Sequence, residues 1–352
     1  MRVEQPSAVR YVVRAAARGL ALATLLAAAT VAGPMVTGPS SAAEEKIRFF
    51  RIGTGSTDAP QFILGGLIAS AVSNPPGTRA CERGGNCGVP GLIAVAQTTD
   101  GSIHNVEAIG GGRLESALSP ADVAFWAYTG TGMFQAQGAI TNLRAVANLY
   151  QGTLQIIVRA ESGIDSVDDL KGKRISLIKG DPGVAGTARL VLDAFGVKEK
   201  QVTIETASLD EVTARLAAGT LDAVFLLGAS PTAEIAELAK NAPIALLPID
   251  GKTGAMIRRK YPFLTVDIVP ENAYRGVDQT TTIGVGMLWL VSAELDATLV
   301  HDLARALWHQ SNRAILNSSD PVGRSIRPTT ALVGIPIPLH PGAERFYAEQ
   351  KR

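Results

Sequence analysis

Short apolar runs alternate with amphipathic stretches along most of the chain. Ile47–Ile52, Leu92–Ala96 and Val123–Phe125 read as strands, with helices over Phe62–Val72 and from Ser102 between them. On the first of these helices Ile63, Leu67, Ile68 and Ala71 share one face. The rhythm resumes with strands at Arg174–Ile178, Val202–Glu205, Ala223–Leu227 and Ile244–Leu247. Helices are expected near Gly186–Phe195, Asp210–Ala218 and Thr232–Lys240. Leu209-Asp210-Glu211 and Ser230-Pro231 supply start signals, and Gly196 and Gly219 supply stops. This alternation predicts parallel sheets covered by helices, an α/β fold. Two longer β-rich runs, Leu143–Val158 and Thr280–Val291, break the pattern, and each is long enough to pass from one lobe to another. A single final helix is expected over Leu299–Leu316, with Leu303 and Leu307 on its apolar face.

The N-terminal residues read as an address. Arg10, Arg14 and Arg18 precede the apolar stretch Leu20–Val31, and Ser41-Ala42-Ala43 offers a cleavage site with small residues. Gly33, Pro34, Gly38 and Pro39 interrupt the stretch before it reaches the roughly 20 residues that span a bilayer. Residues 1–43 are therefore expected to be a removable signal peptide, with the mature protein in the periplasm. No cysteine stands near the site to carry a lipid. Net charge is +1 for the whole chain, and removal of four arginines and one glutamate leaves the remainder mildly acidic. That balance gives no reason to expect nucleic acid or an anionic membrane surface as a partner. Cys81 and Cys87 are the only cysteines, and in an exported protein such a local pair most simply forms a disulfide. A metal site needs more than two thiols, and none is expected.

Several catalytic signatures fail on inspection. Gly53-x-Gly55 follows a strand, but the third glycine of a dinucleotide fingerprint falls on Asp58. Gly251-Lys252-Thr253 mimics the end of a P-loop, yet the leading glycine position is Leu246. No Gly-x-Ser-x-Gly elbow exists, and His104, His301, His309 and His340 show no zinc spacing. What remains is five glycine- and hydroxyl-rich loops after apolar runs: Gly53–Ser56, Thr98–Ser102, Ala127–Thr131, Lys179–Gly183 and Leu227–Pro231. Loops at strand ends present amides and hydroxyls where open α/β sheets bind ligands. Ser102 begins a helix beside Thr98, Thr99 and Gly101, a setting for a carboxylate or phosphate. Ordinary N-capping by Ser102 is the equal alternative.

In order and spacing the chain resembles the TAXI group of TRAP-transporter solute receptors, from about Ile47 to Tyr347. The resemblance is carried by Ile52-Gly-Thr-Gly55, the stretch from Cys81 to Leu92 (CERGGNCGVPGL), Gly101-Ser102 with Asn105, and Leu143–Tyr150 (LRAVANLY). Asp169–Lys173 (DLKGK), Leu221–Phe225 (LDAVF) and Leu339–Tyr347 (LHPGAERFY) continue it. It implies a type II periplasmic binding protein fold with two lobes, each a mostly parallel sheet flanked by helices, joined by two crossover strands. The first lobe would comprise residues 44–154 and 288–352, the second residues 155–287. A solute held in the cleft would be delivered to TRAP membrane permease subunits, with no metal or organic cofactor and a monomeric receptor. The alternatives are a periplasmic sensor that docks on a signalling receptor and a periplasmic enzyme on the same scaffold.

The expected ligand set is Thr54, Gly55, Ser56 and Gln61, then Thr99, Ser102, Asn105 and Trp126. The second lobe would add Asp181, Gly183, Val184 and Gly228. Trp126 is either an apolar wall of the cleft or a core residue. Three positions depart from the resembled pattern. Gln61 stands where relatives carry Tyr, and Pro120 where many carry Gln. Ungapped counting puts Asp181-Pro182-Gly183-Val184 on the relatives' Gly-Ser-Gly-Thr, removing both hydroxyls, whereas a gapped count uses Gly186-Thr187 and keeps one. The departures point away from a simple glutamate-like acid, towards a neutral, zwitterionic or more apolar solute.

Overall fold

The computed structural model describes residues 47–57, 59–178, 182–318 and 321–351. The expected signal peptide and Asp181 lie outside these residues. In chain order the first elements are β1 (Arg48–Gly53), α1 (Pro60–Val72), β2 (Ser73–Asn74), β3 (Val89–Pro90), β4 (Leu92–Gln97), α2 (Ser102–Gly110), β5 (Ser116–Pro120), α3 (Ala121–Thr129) and β6 (Leu143–Arg159). There follow β7 (Arg174–Ile178), α4 (Pro182–Ala194), β8 (Thr203–Ala207), α5 (Leu209–Ala217), β9 (Ala223–Gly228) and α6 (Ala233–Asn241). The chain continues through β10 (Ile244–Leu246), α7 (Gly251–Lys260), β11 (Leu264–Val269) and β12 (Thr280–Ser292). It ends in α8 (Ala297–Trp308), α9 (Arg313–Asn317), α10 (Pro321–Ser325) and α11 (Pro341–Gln350). No helix among the described residues is long and apolar enough to cross a membrane.

The α/β architecture is a mixed sheet with flanking helices, in strand order β4-β1-β5-β12-β6-β9-β7-β8. β4, β1 and β5 are parallel to one another, as are β9, β7 and β8. Between these two parallel sets run β6 and β12, antiparallel to each other and to their outer neighbours. They are the two long runs of the sequence, and they carry the chain from one parallel set to the other and back. β10 does not extend a parallel set; it pairs antiparallel with β6.

Three apolar clusters hold the layers together. α1, α8 and α11 bury Leu64, Ile68, Leu303, Leu307 and Phe346 against Phe50, Ile52 and Trp289. α5 and α6 cover the other parallel set through Val212, Leu216, Ile235 and Leu238. The third cluster runs beneath α2, α3, α4 and α7 and spans both parallel sets without a break. Cys81 and Cys87 form a disulfide. Its loop is fastened to the end of α1 and to β2 by Asn86, whose Nδ2 donates to the carbonyls of Ser70 at 2.5 Å and Ser73 at 2.8 Å.

Two expectations are corrected. Val123–Phe125 is not a strand but the middle of α3; the strand is Ser116–Pro120. Pro120, with no N–H and a φ of −58°, sits at the start of the helix, a place suited to proline. α3 is buried nearly all round, so its apolar run carries no helical stripe. The final helix is also not continuous, because His309 turns extended (φ −64°, ψ 133°). Asn312 explains the break: its Nδ2 donates to Ala306 O at 2.8 Å, near the end of α8, and to Ala71 O at 2.9 Å in α1.

Candidate functional site

The exits of β1 and β4 are lashed together. Thr54 is buried, and both its amide (3.0 Å) and its hydroxyl (2.8 Å) donate to the carbonyl of Gln97. The Thr99 amide donates to Gly55 O at 3.2 Å, forming a second rung. Gly65 in α1 is required by this arrangement, since a Cβ there would lie 2.4 Å from the Thr54 methyl. Beneath both loops Asn105 is fully buried, and its Nδ2 donates to the carbonyls of Thr54 and Leu118, each at 2.8 Å.

Two helices then point their N-termini at one space. α2 begins after Gly101, whose φ of 94° and ψ of −166° belong to a region that only glycine enters freely. No side chain caps α2: Ser102 is its first residue, so the N-capping alternative for Ser102 is not what forms. α1 begins at Pro60 after Ala59, whose side chain gives no cap; Pro60 has no N–H and the Phe62 amide donates to Ala59 O at 2.9 Å, so neither offers the space a donor. Uncapped first-turn amides carry partial positive charge and seek acceptors.

Between these termini and the exit of β9 lies a cavity of about 610 Å³. Thr54, Gly55, Ser56, Gln61, Thr99 and Ser102 line it from the first parallel set, and Gly228 from the second. It therefore sits at the carboxyl ends of the parallel strands, the usual ligand position in open α/β sheets. Its size suits a small organic molecule. Tyr150 and Met287 also line it, and they are register partners on β6 and β12. Leu118, Pro120 and Leu227 make further walls apolar. Among the described lining residues there is no Lys or Arg, and Asp100 is the sole carboxylic acid. Its side chain is 95% exposed at the rim, 3.9 Å from His104 Nδ1, so it points to water rather than inward.

Seven of the twelve expected ligand residues thus share one cavity, and four others stand off its wall. Asn105 braces the loops from below and has no face on the space. Trp126 is a core residue of α3, 5.4 Å from the Phe263 ring, because α3 is a helix and not a strand ending at the cleft. Gly183 and Val184 are buried in the first turns of α4 and lie outside the lining. Tyr150 and Met287 line the cavity without having been expected there, and Ala229 joins them from the expected Leu227–Pro231 loop. Nothing local marks Tyr150 or Met287; their juxtaposition comes from the pairing of strands far apart in sequence.

The cysteine sulfurs and His309 come together in space, but both sulfurs are committed to the disulfide. Among solved structures, the chain is similar to the periplasmic aliphatic sulphonate binding protein SsuA from Escherichia coli. That match has 14% identity over 86% of this chain and 93% of that one, with a TM-score of 0.45. It is also similar to the alkanesulfonate-binding protein SsuA from Xanthomonas axonopodis pv. citri bound to MOPS. Here identity is 17% over 86% of this chain and 84% of that one, with a TM-score of 0.39. The profile of the NMT1-like family matches residues 52–350, nearly all of the described chain, and the protein belongs to that family.

Proposed function

We propose that the protein is a receptor that captures a small organic solute in this cavity and hands it to a membrane transporter. The observation that carries the reading is the convergence of two uncapped helix N-termini and the exit of β9 on one space of about 610 Å³. Donors come from amides and hydroxyls, and the walls from Leu118, Pro120, Leu227 and Met287. With no cationic side chain among the described lining residues, the solute is neutral, zwitterionic or a mostly apolar acid whose polar end faces α2. Residues 44–154 with 288–352 form one lobe and residues 155–287 the other, hinged on β6 and β12. The protein is exported after removal of residues 1–43 and works outside the cytoplasm as a binding protein, not an enzyme.

The transporter is of the TRAP type, on the strength of the TAXI-like stretches from Ile52 to Tyr347. Genes for a large and a small TRAP membrane subunit beside this one support the assignment; an ATP-driven permease pair in their place contradicts it. The solute is sought by a thermal-shift screen over amino acids, dicarboxylates, aromatic acids, sulfonates and osmolytes. A solute at 100 times its Kd stabilises by about 2.7 kcal/mol. For roughly 300 folded residues that raises Tm by about 4 °C. Saturable shifts from a narrow chemical class support the receptor reading; a flat response across the panel contradicts it.

A further inference from the structure

One buried carboxyl group outside the cavity joins helices that belong to the two different parallel sets. Asp122 stands in the first turn of α3 and is fully buried. Its Oδ1 accepts from the Val123 amide at 2.7 Å, and its Oδ2 accepts from the Thr187 hydroxyl at 3.1 Å. Thr187 is also fully buried, and it belongs to α4, beyond the two central strands. One turn along α3, Trp126 meets the same helix. A Cβ on Gly186 would come within 2.5 Å of the indole, so α4 presses bare backbone onto the ring. Phe263 closes a further side of that indole at 5.4 Å. α3 and α4 therefore meet through a donor–acceptor pair and an aromatic contact that only glycine permits.

Removing a carboxyl group from water is costly unless hydrogen bonds replace its hydration. For Asp122 these hydrogen bonds include one from an amide at the start of its own helix and one from a hydroxyl of the facing helix.

We infer that the buried Asp122–Thr187 pair is a latch that holds α3 against α4 in the solute-free protein. The inference rests on the two-lobed receptor reading, with Asp122 and Thr187 on different lobes.

The test is a pulsed electron-spin distance measurement on solute-free protein with its disulfide intact, labelled at the exposed positions of Arg113→Cys and Lys171→Cys. The labelled parent is expected to give one narrow distance distribution. Asp122→Ala is expected to broaden and lengthen it, and excess formate, as a free carboxylate, to narrow it again. Thr187→Val, which replaces the donor with a methyl of the same shape, is expected to broaden it with no recovery in formate. A parent distribution already as broad as the variants', a Thr187→Val distribution like the parent's, or an Asp122→Ala protein indifferent to formate overturns the inference. If Asp122→Ala does not fold, Thr187→Val decides alone: broadening supports the latch and an unchanged distribution overturns it. No solute is present, so the outcome is independent of whether the cavity binds one.

Discussion

Replacing Asn105 by alanine separates a brace from a ligand contact. The side chain is fully buried, and its Nδ2 is hydrogen-bonded to Thr54 O and Leu118 O at 2.8 Å. Alanine leaves both carbonyls without that donor. A buried polar group deprived of its partner costs about 1–3 kcal/mol, so the pair is expected to cost about 2–4 kcal/mol after local relaxation. At about 2.1 cal/mol/K per residue, roughly 300 folded residues have a melting entropy near 0.6 kcal/mol/K. Tm is then expected to fall by about 3–6 °C. Because Asn105 ties the β1 loop to the end of β5, solute affinity is expected to drop by about tenfold although the residue does not face the cavity. Scanning calorimetry reads the first quantity and titration calorimetry the second. A Tm within about 1 °C of the parent would refute the bracing role. Lost affinity at unchanged Tm would instead place Asn105 in contact with solute.

Ser102→Pro is expected to preserve stability, since proline suits the first helical position, while removing one amide donor from the cavity. Against a Ser102→Ala control, solute affinity should fall by about five- to tenfold, the effect of one hydrogen bond of about 1 kcal/mol; equal affinities count against the amide. His340 is buried, and burial, partly offset by its bond to Leu295 O, holds its pKa below the ordinary value. Its Nδ1 accepts from the Gly342 amide, so a proton there would oppose that donor. Below about pH 6.5 the unfolded chain takes up a proton that the folded chain resists, so this contribution is full above that pH and is lost as pH falls towards the folded pKa. Urea unfolding between pH 7.5 and 5 should show a steeper loss in the parent than in His340→Gln; parallel profiles would contradict it. Opening the Cys81–Cys87 loop by a double serine substitution should cost about 2–3 kcal/mol on the chain-entropy model, read by urea unfolding of the oxidised proteins.

The loops that rim the cavity were legible because their signals are local. Glycine before a hydroxyl at the end of an apolar run marks a chain that must turn tightly and present amides, and Gly53–Ser56 and Thr99–Ser102 do so. β6 and β12 were legible from length. α3 was not, because a helix buried on every side shows no amphipathic period, and with it Trp126 was read onto a strand end. The break at His309 depends on Asn312 reaching Ala71, a contact between residues 241 positions apart that no local pattern records. Tyr150 and Met287 reach the cavity through strand pairing alone. The role of Asn105 was legible as polar and placed, yet its direction, down into two carbonyls instead of out to solute, is set by packing.

The central claim, that solute occupies this cavity, is tested most directly by titration calorimetry on Gly228→Leu. A Cβ at Gly228 meets nothing within 4 Å, so the fold tolerates a side chain there while the space it lines is filled. With the best solute from the screen, the account expects a melting temperature like the parent's and no measurable heat of binding. Parent-like affinity in Gly228→Leu would contradict it.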